Sequence, residues 1–330
     1  MLRMLGILTA RVMIDSDASH NETWVTLITE YLHAGVTHAH ALKVWHPMLR
    51  LLVHRFVPGY AEVQRQLNLG RSIVVDGIRK VEEREKNGVP EPQPTSVLHH
   101  MSRRAPGTSS VVIDMYLKEQ LNLAFGGIHT TSAVLTQTLF ELSAHPNYVP
   151  ELRKEIIDTL VNFDGVFSIS ALWDMQKLDS FIRETHRLSS PNLTTLQKRA
   201  TQDVTLSDGT FIPSGTKLEF PTFAIHRDGK FFDNAAEFDG FRFLKFARKD
   251  MLGWGLCKTA WACPGRFLAD IEIKLVVAFI LMNYDTKNPD GQGRHSHVHF
   301  ENQVFHDPVN PVLMKRIRRE DIDENGHLRE

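Results

Sequence analysis

The stretch from 111 to 144 limits most strongly what this chain can fold into, because it keeps helical periodicity without a proline until His145-Pro146. Thr108, Ser109 and Ser110 precede it and offer capping oxygens for a helix start. Helices in soluble domains average about 11–12 residues, and a long helix that is apolar on most faces belongs in a core. The pattern therefore predicts a mainly helical protein built around this segment.

The rest of the chain supports a mainly α fold class with a small β region. The polar turn Ser207-Asp208-Gly209 between short β-rich runs predicts a hairpin over 204–212, followed by a strand at 217–220 and strand-like pieces over 284–316. No repeat or linker divides the chain, so a single domain over 1–330 is expected. Further helices are predicted at 1–13, 22–35, 39–56 with a break at Pro47, 60–87, 98–103, 148–163, 170–189 and 267–282.

Charge and cysteine content exclude several classes of protein. With 38 basic and 39 acidic residues the formal net charge is −1, which argues against nucleic acid as the main partner. A transmembrane helix needs about 20 consecutive apolar residues, and the longest apolar run, 275–282, is much shorter. The two cysteines, Cys257 and Cys263, cannot form a disulfide framework and favour a reducing compartment, although a bond between them stays open.

Cys263 is the first candidate for chemistry, because Pro264-Gly265 and then a predicted helix follow it directly. The free N–H groups and the positive end of the helix dipole favour an anionic sulfur at such a place. A thiolate of this kind is available to a metal. The alternative is a buried structural cysteine beside a turn, as free cysteines often are.

Gly126 and Gly127 lie in the middle of the long predicted helix, followed by His129 and Thr130. Each glycine inside a helix costs roughly 1 kcal/mol relative to alanine. They are tolerated where a ligand or another backbone comes close, or where the helix opens locally. The segment therefore predicts a groove beside hydroxyls and an imidazole; a helix-crossing point with small residues is the alternative.

Two further segments carry charged residues that are candidates for ion pairing. Glu184 and Arg187 are three residues apart and share a helix face. Arg242 lies between phenylalanines in a loop and is a candidate to complete a buried pair with Glu184, which needs several hydrogen bonds to offset desolvation. The alternatives are an exposed pair worth about 0–1 kcal/mol and a surface arginine stacked on a ring.

In their order and combination, these segments resemble the four signature elements of cytochromes P450. The run Thr210-Phe211-Ile212-Pro213-Ser214-Gly215-Thr216 looks like the β-hairpin of that family. The variants Gly-Gly-Ile-His-Thr-Thr and Phe-Asp-Gly-Phe-Arg-Phe resemble fungal members that act in secondary metabolism. The resemblance extends from Glu22-Thr23-Trp24 to the C-terminus. It implies a cytochrome P450 fold that lacks the N-terminal part.

The resemblance implies a role for each matching residue. Cys263 would be the axial thiolate on the iron of haem b, a ligation that favours O–O cleavage. Thr130 would help deliver protons to bound oxygen, with His129 standing where many members carry an acid. Gly126 and Gly127 would leave room for oxygen and water above the iron.

The remaining matches imply cofactor contacts and a structural element. Lys198 or Arg199 would provide a cation for a haem propionate, and Arg266 would lie near the start of the helix after the thiolate. Glu184, Arg187 and Arg242 would form a structural triad behind the haem, with no catalytic part.

By the same resemblance, the chain would be a monooxygenase that oxidises an apolar terpenoid, polyketide or indole-derived intermediate. It would use O2 and electrons from NADPH–cytochrome P450 reductase or a similar donor, at the cytosolic face of the endoplasmic reticulum membrane. Two alternatives stay open. One is an inactive truncated fragment, and the other is a helical protein that binds an apolar ligand without oxygen chemistry.

The chain departs from the family pattern in two places. The N-terminal membrane anchor, the first β-sheet and the early helices have no counterpart in it. In the expected ligand loop, about 253–268, Gly253-Trp254-Gly255 lies further upstream of the cysteine than the glycine-containing turn that family members carry just before it. Trp261 occupies the position of a propionate-binding His or Arg, and Thr259 replaces a turn glycine.

Overall fold

A computed structural model shows two compact units, Met1–Ser132 and Ala133–Glu330. The long central helix belongs to both units, and the single-domain organisation stays a prediction. The structure describes residues 1–14, 18–88, 96–104, 109–245, 263–289, 293, 295, 297–300, 302–306 and 310–329.

The first unit consists of helices in the part of the chain that the structure describes. Its core contains Leu5, Trp24 and Ile28, which are at most 2% exposed. The elements are α1 (Leu2–Met13), α2 (Glu22–Lys43), α3 (Pro47–Val53), α4 (Tyr60–Lys86), α5 (Val97–Arg104) and the first part of α6 (Ser110–Ala144).

Local sequence explains where several of these helices begin and end. The Asn21 side chain accepts a hydrogen bond from the Trp24 amide at 3.1 Å and so caps α2. This helix continues to Lys43, well past the predicted end at 35. The break predicted at Pro47 is present: α2 ends at Lys43 and Pro47 starts α3, where its missing N–H costs nothing. Helix packing also needs Gly77 in α4, because a Cβ there would lie 2.6 Å from Leu98 Cδ2.

Helix α6 spans Ser110–Ala144 and starts one residue before the predicted range. The Ser109 hydroxyl accepts a hydrogen bond from the Val112 amide at 3.4 Å and provides a cap, as expected. The helix stays regular through Gly126-Gly127.

In its described residues the second unit combines helices with four two-stranded antiparallel sheets. In the predicted hairpin at 204–212, Gly209 has a φ of 88° and Asp208 Oδ1 accepts from the Thr210 amide at 2.9 Å, as expected for a polar turn. The helices are α7 (Val149–Asn162), α8 (Ile169–Asp174), α9 (Gln176–Leu188), α10 (Thr222–Ile225) and α11 (Arg266–Asn283). The strand pairs are β1 (Thr195–Arg199) with β4 (Lys217–Phe220), β2 (Val204–Thr205) with β3 (Phe211–Ile212), β5 (Tyr284–Lys287) with β8 (Leu313–Arg316), and β6 (His297–Phe300) with β7 (Gln303–His306).

This content confirms the predicted fold class, mainly α with a small β region. Strand β1 was not predicted, because no turn or alternation marks it locally. Its register depends on β4, with Lys198 opposite Leu218 and Arg199 opposite Lys217.

Candidate functional site

Cys263 has an exposed, free thiol and lies just before α11. Gly265 is the N-cap of that helix, and a Cβ on Gly265 would lie 3.9 Å from the cysteine sulfur. The sulfur therefore stands next to the first turn of a helix, where free N–H groups favour an anion. In the described structure Cys263 is exposed, which favours an accessible thiol over the buried structural cysteine that sequence reasoning left open. Cys257, Thr259, Trp261 and 253–255 lie outside the described residues.

Arg266 holds the backbone of this turn. Its Nη1 donates to the Cys263 carbonyl at 2.8 Å, and its backbone amide reaches the same oxygen at 3.3 Å. The guanidinium also lies 4.3 Å from the centre of the Phe267 ring. Phe267 and Leu268 are each 45% exposed. The thiol of Cys263 and the apolar side chains of Phe267 and Leu268, four and five residues further along the chain, are thus all exposed in the described structure.

The glycine pair of α6 leaves open space at its surface. A Cβ on either Gly126 or Gly127 would meet none of the described atoms within 4 Å. The Thr130 hydroxyl donates to the Gly126 carbonyl at 2.7 Å, one helical turn earlier. Since no neighbouring helix requires the glycines, the groove interpretation fits better than a helix crossing.

His129 lies half-buried on the same helix. Burial lowers the pKa of its imidazole below the ordinary value, so the neutral form dominates at neutral pH. Its Nε2 is buried without a hydrogen-bond partner among the described residues. A neutral ring with one unsatisfied nitrogen is able to pass a proton to or from a ligand or a water.

Glu184, Arg187 and Arg242 form a buried ionic triad. The carboxylate of Glu184 pairs with Arg187 through two hydrogen bonds of 2.7 Å. Arg242 Nε lies 3.1 Å from each oxygen of the same carboxylate. Glu184 is 0% exposed, Arg187 1% and Arg242 9%. Burial excludes both alternatives, the exposed pair and the surface arginine.

The remaining donors of the two arginines hold the loop that follows α10. Arg187 Nη1 donates to the carbonyls of His226 and Ala235, the latter at 2.6 Å. Both arginines donate to the Glu237 carbonyl at 3.1 Å. These bonds offset the desolvation of the buried charges. The triad therefore fixes the loop that follows α10 to helix α9 and has the geometry of a structural element.

Lys198 and Arg199 are exposed on β1. Their role toward a propionate stays a prediction. Of the predicted site residues, the structure brings Glu184, Arg187 and Arg242 into contact. It also joins Thr130 to Gly126, and Arg266 to Cys263, by hydrogen bonds.

The family model for cytochrome P450 matches residues 9–313 of the chain. The chain belongs to the cytochrome P450 family. Its members are haem-thiolate proteins, and an exposed cysteine directly before a helix whose first turn exposes apolar side chains fits that cofactor.

Curated relatives of this P450 are fungal. The chain is 32% identical to the cytochrome P450 monooxygenase braC of Annulohypoxylon truncatum, over 96% of this chain and 66% of the relative. It is 34% identical to the monooxygenase olcJ of Penicillium canescens, over 99% and 63%. It is 31% identical to the ent-kaurene oxidase P450-4 of Gibberella fujikuroi, over 93% and 62%. The chain thus spans about two thirds or slightly less of these relatives' lengths.

Solved structures show the same fold. The retinoic acid-bound cyanobacterial CYP120A1 matches with a TM-score of 0.68 and 16% identity, over 96% of this chain and 68% of the other. The haem domain of cytochrome P450DA matches with a TM-score of 0.70 and 18% identity, over 97% and 67%. Among the described helices, none has the length and apolar character needed to cross a bilayer.

Sequence reasoning missed a buried ionic network in the second unit of this P450. Lys274 Nζ lies 2.6 Å from Asp179 and 3.0 Å from Asp270, and Arg183 Nε lies 2.6 Å from Asp179. One signal was present: Lys274 is a charge within an apolar stretch of α11, four residues after Asp270. Charged residues are rarely buried unless they are paired.

A second missed group is Glu272, only 8% exposed, whose pKa burial raises from 4.5 to about 7. The folded protein therefore binds more protons than the unfolded chain between these values. We expect the free energy of unfolding to fall as the pH rises from 4.5 through 7, by up to about 3 kcal/mol from this group. Urea unfolding at pH 5 and pH 8 measures the fall, and Glu272→Gln should remove it. An equal fall in the variant would contradict the assignment.

Proposed function

We propose that this chain is a haem-thiolate monooxygenase in which Cys263 ligates the iron of haem b. The observation that carries the proposal is the exposed Cys263 sulfur at the start of α11, a helix whose first turn also exposes Phe267 and Leu268. When bound, the haem supplies the oxygen chemistry. The chain binds and orients the cofactor and the substrate, and moves protons.

Thr130 and His129 are proposed to handle protons. The Thr130 side chain is exposed on α6 and its hydroxyl oxygen is held by the Gly126 carbonyl, which leaves its lone pairs free to accept. Partial burial lowers the pKa of His129 and so favours the neutral ring, in which one nitrogen accepts and the other donates. Gly126 and Gly127 keep side chains away from this part of the helix, and Lys198 or Arg199 is proposed to pair with a haem propionate.

The proposed substrate is an apolar intermediate of fungal secondary metabolism, a terpenoid, a polyketide or an indole-derived compound. The relative from Gibberella fujikuroi is named an ent-kaurene oxidase, which makes ent-kaurene a reasonable member of a substrate panel. The proposed partners are O2 and NADPH–cytochrome P450 reductase or a similar electron donor.

The test starts with haem supplied during expression. The purified protein is reduced and mixed with carbon monoxide, and the strongly red-shifted Soret band of a thiolate-ligated haem is expected. Turnover is then measured with reductase, NADPH and a substrate panel that includes ent-kaurene, with products detected by mass spectrometry. A protein that takes up no haem would overturn the proposal in favour of an inactive fragment, or of an apolar-ligand carrier if the panel still binds.

Thr130→Val removes the hydroxyl while it keeps the shape of the side chain. We expect the ratio of product to NADPH consumed to fall by about 10-fold or more, since groups positioned in a proton-transfer path contribute about 10²–10⁴-fold to rates. Thr138→Val is the matched control, because the Thr138 hydroxyl makes the same bond one turn back, to the Val134 carbonyl at 2.8 Å. Equal losses in both variants would assign the effect to helix structure and not to proton delivery.

We also propose that the protein works at the cytosolic face of the endoplasmic reticulum membrane. Around α3 an apolar surface faces solvent: Val44, Met48, Leu51, Leu52 and Phe56 are 70–87% exposed. The sequence between Glu30 and Glu62 contains no acidic residue. It contains three basic residues, Lys43, Arg50 and Arg55. An apolar surface flanked by basic residues suits the interface of a bilayer with anionic lipids.

Replacing Met48, Leu51 and Phe56 together with serine should weaken binding to vesicles that contain phosphatidylserine by about 10-fold or more, because each buried apolar side chain contributes about 1.5–3 kcal/mol. Flotation of the protein with vesicles measures the bound fraction. Val161, Val166 and Ile169, which are 59–67% exposed in the second unit, form a matched control triple. If the two triple-serine variants lose vesicle binding to the same extent, the surface around α3 is not the membrane contact.

A further inference from the structure

Lys274 is a lysine that is almost fully buried, at 4% exposure, in the middle of α11. Its ammonium contacts Asp179 on α9 at 2.6 Å and Asp270 on its own helix at 3.0 Å. Arg183 of α9 holds the other oxygen of Asp179 at 2.6 Å. Two cations and two carboxylates therefore balance in charge where α11 meets α9.

A network of this kind is not explained by stability alone. Desolvation of buried charges costs as much as their attraction returns, and apolar residues of similar volume often stabilise equally well. Burial also raises the pKa of Asp270, although Lys274 acts in the opposite direction. What a buried ion pair provides in addition is one fixed register, because any sliding of the helices would leave a charge unpaired.

Helix α9 holds the chain on both sides of Cys263. Upstream, Glu184 binds Arg242, and the Ser180 hydroxyl accepts from the Phe243 amide at 3.0 Å. Downstream, Lys274 binds Asp179. Lys274 follows Cys263 by eleven residues on the described chain, so the downstream attachment limits where the cysteine can lie.

The far end of α11 is held by a different helix. Arg153 of α7 donates to the Leu281 carbonyl at 2.9 Å and to the Tyr284 carbonyl at 3.1 Å. Lys274 is thus the ionic attachment of the half of α11 that begins at the cysteine.

We propose that Lys274 and Asp179 are positioning residues that fix the start of α11, and with it the Cys263 sulfur, at the distance needed for iron ligation. This inference rests on the proposed haem ligation by Cys263. In this proposal the ion pair keeps the thiolate on the iron, in addition to any contribution it makes to folding stability.

The test compares Lys274→Met with the double variant Lys274→Met/Asp270→Asn. The single variant leaves Asp270 without its lysine, and the double variant removes both of these charges while Asp179 keeps Arg183, so stability should largely return in the double variant. The fraction of reduced, carbon monoxide-bound protein that keeps the thiolate Soret band should fall by about threefold or more in both, because the register is lost in both. A purely structural role predicts that the band recovers together with stability.

Lys154→Met is the matched control, since Lys154 pairs with Asp158 four residues away at 3.1 Å but is exposed. Its Soret band should equal that of the wild type. Lys274→Arg keeps the cation and should restore part of the band. An unchanged band in Lys274→Met, or full recovery in the double variant, would overturn the proposal.

Hydrogen exchange separates failure of this inference from failure of the proposed function. On protein purified without haem, the double variant should exchange faster in the first turns of α11 and at the wild-type rate near Leu281, which Arg153 holds. If the wild type shows no thiolate band, haem ligation by Cys263 is wrong, yet the exchange still decides whether the pair fixes the start of α11. Equal exchange in the wild type and the double variant would refute the positioning role.

Discussion

Cys263→Ser should remove the red-shifted Soret band of the reduced, carbon monoxide-bound protein and lower product formation to background. A serine oxygen does not replace the cysteine thiolate that holds haem iron in this family. The exposed sulfur is available for this, because the Arg266 side chain and amide occupy the carbonyl of Cys263 and leave its side chain alone. Absorption spectra and the haem-to-protein ratio provide the measurement.

The chain offers a matched control for this substitution, since Cys257 is its second cysteine. Cys257→Ser should keep the band and the turnover. A band that survives Cys263→Ser and disappears in Cys257→Ser would move the ligand to Cys257. A band that survives both substitutions would exclude cysteine ligation.

Glu184→Gln should lower the free energy of unfolding by about 3–5 kcal/mol, because it leaves two buried arginines without a carboxylate. Arg187 and Arg242 are both within 3.1 Å of that carboxylate, and Glu184 itself is 0% exposed. Urea unfolding of the haem-free protein measures the change. The same loss is expected at saturating haem if the triad stabilises the fold independently of the cofactor.

Glu151→Gln provides the control, because Glu151 pairs with Lys177 at 2.6 Å while both side chains are exposed to solvent. Its effect should stay within about 1 kcal/mol, as for most surface pairs. A change of similar size in the two variants would contradict the importance of burial. A loss confined to the haem-bound form would place Glu184 in contact with the cofactor site.

Features that depend on neighbours in sequence were predictable. The capped, proline-free stretch gave α6 to within one residue at its start, and the polar turn gave the hairpin around Gly209. Glu184 and Arg187 had to share a face of α9 because they are one turn apart. The thiol before α11 followed from Cys-Pro-Gly and the apolar helix after it.

Features that depend on distant segments were open or missed. Arg242 had two interpretations, and only its burial against Glu184, 58 positions away, decided between them. Strand β1 was missed because its pairing partner lies beyond the hairpin. The end of α2 was placed too early, since packing against α1 and α4 supports a length that local signals did not indicate.

The sequence by itself determined the helix content, the family and the cysteine at a helix start, because these follow from periodicity, turn residues and the order of short motifs. Only the tertiary structure decided which charges are buried, and so which have altered protonation and which hold helices together. Desolvation depends on everything that surrounds a group. For this reason the neutral His129, the raised pKa of Glu272 and the pairing of Lys274 with Asp179 became visible only in the fold.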